Sequence, residues 1–161
     1  MTAHPISPVY DSSSRILILG SFPSVKSRET GFFYGHPQNR FWRVLSSLFG
    51  EKTPETVDEK REFLLRRRVA VWDVIASCDI TGSSDSSIKN VMPNDLSRIF
   101  LSADIRAVFT NGRTAHNLYV KYIASSVGID DVCLPSTSPA NAAFSPSRLA
   151  EEWGIILDYL R

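Results

Sequence analysis

RILILG, Arg15 to Gly20, carries four consecutive Ile or Leu residues with no polar alternation. A half-solvated strand alternates apolar and polar side chains, so an unbroken apolar run ending in glycine reads as a strand buried on both faces. Burial on both faces is the condition of a parallel sheet covered by helices on each side. Matching pieces follow: Val69 to Val74 (VAVWDV), Arg106 to Asn111 (RAVFTN) and Asp131 to Pro135 (DVCLP) read as three more strands.

Helical patterns lie between and after these runs. Asn39 to Phe49 places Phe41, Leu45 and Leu48 on one face, and Gly50 stops it. Asp58 to Arg68 turns Phe63 and Leu64 inward and ends in Arg66, Arg67 and Arg68, where the helix dipole favours cations. Further helices are expected from near Asn94, over Gly112 to Ala124, and from Ser145 as N-cap with Pro146 at the first turn. The last carries a stripe of Leu149, Trp153, Ile156 and Leu160. Ala76 to Pro93 reads as a long irregular connection. The expected fold is a three-layer α/β/α sandwich around a four-stranded parallel sheet, with residues 1–161 forming one domain. Loops after strands, namely Gly20 to Gly35, Asp73 to Pro93, Asn111-Gly112 and Ser136 to Phe144, then converge on one sheet edge, where such folds bind ligands.

Composition narrows the function without choosing it. With 161 residues, 43% hydrophobic and 22% charged, the chain can bury a real core. No run is long and apolar enough to span a bilayer, and the first residues lack the pattern of a secretion signal. The expectation is a cytoplasmic protein with no membrane partner. Two cysteines, Cys78 and Cys133, and three scattered histidines, His4, His36 and His116, support neither a disulfide framework nor a metal site. A net charge of +1 argues against an extended DNA-wrapping surface, yet a local patch suffices to clamp one nucleotide.

The loop after the first strand concentrates the chemistry. GFFYGHPQNRFW, Gly31 to Trp42, sets Phe32, Phe33 and Tyr34 side by side, then one asparagine before a helix. Three consecutive rings either enter the core or form a wall against a flat ligand. From spacing alone Asn39 reads as a helix N-cap. The turn Gly20 to Ser24 and the run Ser136 to Asn141 are equally compatible with ordinary tight turns, and Ser83, Asp85 and Ser86 with loop-internal bonding.

Taken together, GSFPS (Gly20 to Ser24), GFFYGHPQNRFW and LPSTSPANAA (Leu134 to Ala143) resemble the uracil-DNA glycosylase superfamily, and most nearly its hypoxanthine-DNA glycosylase branch. The resemblance runs through nearly the whole chain and includes VWDVIASC and VFTNG. It implies a cofactor-free, monofunctional, monomeric enzyme acting on DNA with deaminated bases, duplex or single-stranded. Many members carry a polar catalytic residue in the first block, where this chain has Phe22, so the resemblance moves that role to Asn39. A carboxamide can hold a water by its oxygen and aim it at C1′ of the sugar. Gly20, Ser21, Phe22, Pro23, Ser24, Phe33, Tyr34 and Asn111 are implied to hold the flipped base, with Tyr34 as stacking wall. Ser136, Thr137, Ser138, Pro139, Ala140 and Asn141 are implied to contact DNA and fill the vacated stack.

Two other classes compete. A non-catalytic lesion-binding module of the same fold would also tolerate Phe22. A nucleotide hydrolase is suggested by Gly20 to Ser27, which mimics a phosphate-binding loop, but Val25 replaces its second glycine and Pro23 lacks the backbone donor a phosphate cradle needs. No GxGxxG follows any strand, which disfavours a dinucleotide enzyme.

Overall fold

The computed structural model describes residues 1–161. In chain order its elements are β1 (Thr2–Ala3), β2 (Ile16–Gly20), α1 (Val25–Thr30), α2 (Phe41–Phe49), α3 (Val57–Arg66), β3 (Val69–Asp73), β4 (Ile75–Asp79) and β5 (Lys89–Pro93). These are followed by α4 (Ser97–Ser102), β6 (Ala107–Asn111), α5 (Arg113–Tyr122), α6 (Ala124–Val127), β7 (Asp131–Leu134), α7 (Pro146–Trp153) and a terminal 3-10 segment, Gly154–Tyr159.

The four expected strands form one parallel sheet in the order β3-β2-β6-β7. β2 and β3 bury every residue, as strands covered on both faces must. The chain leaves β2 for β3 on one side and returns to β6 on the other. Connections therefore diverge above β2 and β6, and a crevice opens at their carboxyl ends. Register fixes what faces it: Gly20 pairs with Asp73, and Leu19 with Thr110 one residue before Asn111.

Local chemistry explains the element ends. Ser24 caps α1, its side chain accepting from Ser27 N–H, and Thr56 caps α3 through Glu59 N–H. Ser145 caps α7 through Arg148 N–H, with Pro146 in the first turn as its fixed φ favours. Gly50 ends α2 at φ 66°, a left-handed conformation that glycine adopts without strain. Phe41, Leu45, Phe63, Leu149, Trp153 and Ile156 all enter one continuous core.

Three expectations are corrected. Ala76 to Pro93 is not an irregular connection: β4 and β5 pair antiparallel there, and β1 joins β4 to make a second, three-stranded sheet. Register shifts within the β4–β5 pair and exposed residues along β5 hide the period-two signal. The loop after β2 contains a helix, α1, too short for a periodic stripe. Near Asn94 the helix begins only at Ser97, because the Asn94 amide instead donates to the Asp73 and Ile75 carbonyls.

Candidate active site

Above the ends of β2 and β6 lies a cavity of about 400 Å³. It is lined by Gly20, Ser21, Phe22, Pro23, Ser24, Phe33, Tyr34, Asn39, Asn111, Ser136, Thr137, Ser138 and Ala140. Residues distant in sequence thus meet in one place. Pro139 and Asn141 flank this wall without lining it. Phe32 turns into the core, stacked near Trp42, so the aromatic triplet divides between core and cavity.

Asn39 stands at the entry to α2, which begins two residues later. Its side-chain oxygen accepts from Phe41 N–H at 3.0 Å, and the residue borders the cavity. Asn39 is thus not the N-cap that its spacing suggests: Arg40 holds that position without a side-chain cap bond, and Asn39, one residue earlier, uses its bond to Phe41 N–H to orient the carboxamide at the cavity.

Tyr34 occupies a left-handed backbone conformation, φ 52°. Its ring stacks on Phe41 at 4.0 Å between centroids, so one ring face is already covered. Its hydroxyl is buried and has no hydrogen-bond partner. Burial first, and the neighbouring Asp73 charge second, push its phenol far above the ordinary tyrosine range, with the nearby Asn111 side chain opposing them, so the hydroxyl keeps its proton.

The Ser136 to Asn141 segment is built largely from bonds to itself. The Ser136 hydroxyl accepts from Ser138 N–H, the Ser138 hydroxyl from Ala140 N–H, and the Asn141 amide donates to the Ser136 carbonyl. The Asn111 carboxamide grips Thr137 twice, donating to its hydroxyl and accepting from its N–H, both at 3.0 Å. Pro139 and Ala140 are left exposed at the tip.

Three residues important to this geometry, Arg40, Asp73 and His4, carry no site role in the sequence pattern, and a fourth, Asp85, reads there only as part of a self-bonded loop. Arg40, beside Asn39, donates through its guanidinium to the carbonyls of Thr137, Ser138 and Asn141, at 3.4, 2.8 and 3.0 Å, and to that of Phe144. It ties the loop to the start of α2. Asp73 ends β3 on the cavity floor, and His4 donates to it from Nε2 at 2.7 Å. Asp85 sits at the cavity rim and accepts from the Ser21 hydroxyl at 3.3 Å. Partial desolvation raises its carboxyl above the usual aspartate range, with Asp73 adding to the shift and the Ser21 and Thr114 hydroxyls opposing it. The signal for Asp73 is a lone carboxylate ending a buried strand; Arg40 and His4 have none. No three His, Cys, Asp or Glu side chains gather into a metal-ligating cluster.

The sequence model of the uracil DNA glycosylase superfamily matches residues 7–160. The chain belongs to that superfamily. Among this superfamily protein's relatives, a hypoxanthine DNA glycosylase of Methanosarcina acetivorans is 35% identical over 145 residues, 89% of this chain and 90% of the relative. A protein of the same name from Methanosarcina barkeri is 34% identical over 143 residues, covering 88% and 89% respectively. The solution NMR structure of a candidate uracil DNA glycosylase from Methanosarcina acetivorans superposes with a TM-score of 0.84 at 33% identity, covering 99% of both chains. The superfamily fold thus accounts for the parallel sheet and the cavity at its switch point. No helix is long and apolar enough to cross a membrane.

Proposed function

We propose that this protein is a monofunctional DNA glycosylase of base excision repair that hydrolyses the N-glycosidic bond of deoxyinosine and releases hypoxanthine. The observation that carries the reading is the convergence of GSFPS, Tyr34 to Asn39 and the Ser136 to Ala140 run around one base-sized cavity. The substrate is chosen from the relatives that bear that name over nine-tenths of their length. Uracil is the second base to test, since its O4 and N3–H repeat the O6 and N1–H edge of hypoxanthine.

A base buried in a duplex must be extruded before its sugar can be attacked. The flipped base enters between Phe33 and the Gly20 to Ser24 turn. The Asn39 carboxamide holds a water against C1′. Because an amide takes no full proton near neutrality, cleavage proceeds with the base leaving ahead of water attack, and positioning supplies the rate. Pro139 and Ala140 fill the vacated stack, and the rest of Ser136 to Asn141 holds them there. No lysine lines the cavity, and Lys26 lies outside it beside Glu29, so the nucleophile is water and not an amine. Residues 1–161 act as one domain, as a monomer, in the cytoplasm with the DNA.

Duplexes containing one deoxyinosine or one deoxyuridine test this directly. Heat or alkali should reveal abasic sites, borohydride should trap no covalent adduct, and EDTA should leave the rate unchanged. Tight lesion binding without abasic sites would instead identify a non-catalytic binding module.

A further inference from the structure

Hydrolysis of a glycosidic bond takes a proton from the attacking water, and the Asn39 carboxamide that aims this water cannot accept it near neutrality. The titratable side chains lining the cavity are Tyr34, Asp73 and Asp85. Tyr34 is buried and keeps its proton, and Asp73 lies on the floor, bonded to His4 and remote from an entering sugar. Asp85 stands at the rim. That rim is also a boundary, because a groove of about 540 Å³ adjoins the cavity, and Asp85, Ser136, Ser138 and Ala140 line both. The cavity takes the base, so the sugar and its phosphates lie in the groove. Arg113 lines that groove, and the Ser136 and Ser138 hydroxyls accept from backbone N–H groups, which leaves their own protons free for phosphate oxygens. The scissile bond therefore crosses the boundary, and Asp85 is the one titratable side chain on it.

The turn between β4 and β5 that carries Asp85 is fixed from several sides. Val25 N–H donates to the Ser83 hydroxyl at 2.9 Å, the Arg28 guanidinium to the Gly82 carbonyl at 2.7 Å, and the Ser21 hydroxyl to Asp85 Oδ1 at 3.3 Å. With the Thr114 hydroxyl at the start of α5 as a further partner, the carboxylate spans the crevice between the ends of β2 and β6. It is pre-positioned and not neutralised. The charged groups on the elements around it are Asp73 at the end of β3, Arg28 on α1, Arg113 on α5 and Lys89 on β5. Asp85 forms an ion pair with none of them, and Arg28 instead lies over the Phe22 ring, 5.5 Å from its centroid. Desolvation first, and Asp73 next, hold the Asp85 carboxyl above the ordinary aspartate range, which brings it nearer the working pH of a general base. In the free protein the residue is open to solvent, as a group that must meet an entering sugar has to be.

We infer that Asp85, delivered by the turn between β4 and β5, is the carboxylate that faces C1′, where it stabilises the cationic sugar and takes the proton of the water that adds there. This deepens the glycosylase reading and rests on it. The C1′–N9 bond breaks with both electrons leaving on the base, and the water oxygen then bonds to C1′. Its proton passes to an Asp85 oxygen and from there to solvent, while the purine anion takes up a proton from solvent and leaves neutral. Water is the only co-reactant. Asn39 and Asp85 divide the work, one aiming the water and the other meeting the charge and the proton, as an amide and a carboxylate are each suited to do.

Single-turnover cleavage of a duplex with one deoxyinosine is measured from about pH 4.5 to about pH 8, alongside duplex affinity and melting temperature. For the intact protein the rate should climb with pH through an ionisation above the ordinary aspartate value and then level. Asp85→Asn keeps an oxygen for the Ser21 and Thr114 hydroxyls but has neither charge nor basic site. It should slow cleavage at neutral pH by about 100-fold or more, flatten the acidic limb, and leave duplex affinity undiminished. A purely structural Asp85 predicts another pattern, in which rate falls only in step with melting temperature and the acidic limb persists. A folded Asp85→Asn variant that falls short of that loss, or that retains the limb, would overturn the inference. So would a flat profile for the intact protein, a measurement that needs no variant. If the intact protein formed no abasic site from deoxyinosine at any pH, the glycosylase reading itself would fall, a distinct result.

Discussion

At the scale of single residues, Asn39 serves two purposes that substitution separates. Its oxygen holds Phe41 N–H, so Asn39→Ala should cost about 0.5–1.5 kcal/mol of stability, the usual net worth of one hydrogen bond. If it also aims water, cleavage should fall by about 10²-fold or more, well beyond what that stability loss explains. Asn39→Ser keeps an oxygen that can accept from Phe41 N–H, so it should restore the melting temperature without restoring turnover. Wild-type turnover in Asn39→Ser would reduce Asn39 to a structural turn residue. Asp85 gives a second test through pH. Its folded carboxyl is raised above the unfolded value of about 3.9. The folded state then binds the proton more tightly, so the contribution to stability is present below the unfolded value and lost as pH rises through the folded one. Asp85→Asn should therefore raise the melting temperature at pH 7, and the gain should vanish in acid below the aspartate range. A gain independent of pH would contradict the desolvation account.

At the scale of elements, the Arg40 fork joins the start of α2 to the loop after β7. Planar guanidinium donors reach several carbonyls from one side chain, which an ammonium on a flexible stem cannot reproduce. Arg40→Ala should destabilise the protein by about 1.5–3 kcal/mol, the range for bonds to one charged group. It should also increase amide exchange selectively from Ser136 to Phe144. Arg40→Lys should recover little of either. Because Pro139 and Ala140 depend on that loop, duplex cleavage should suffer more than single-strand cleavage. Equal loss on both substrates would detach the loop from base extrusion.

At the scale of the whole molecule, the N-terminal strand is a site element as well as a structural one. β1 pairs with β4, and this pairing delivers His4 to Asp73 across 69 residues of sequence. His4→Ala should cost about 1.5–3 kcal/mol, because it strips a buried carboxylate oxygen of its donor. Thermal unfolding reads that loss. An unchanged melting temperature would detach His4 from Asp73.

What was legible in the sequence follows from short-range physics. A run such as Ile16 to Leu19 buries on both faces wherever it lies, a Ser145-Pro146 pair starts a helix, and Gly50 ends one. The parallel sheet and the clustering of strand-end loops could thus be read from residue order alone. Nothing local, by contrast, marks β4 and β5: their pairing is irregular and one of them is largely exposed, so tertiary contact decided what the pattern did not. The same holds for the cavity floor. Asp73 is an ordinary carboxylate until parallel register sets it against a glycine, and His4 an ordinary histidine until a strand of another sheet brings it within 2.7 Å. The residue types were determined by the sequence. Their partners and orientation were decided only by the fold, because hydrogen bonds between distant residues exist only once packing has brought them together.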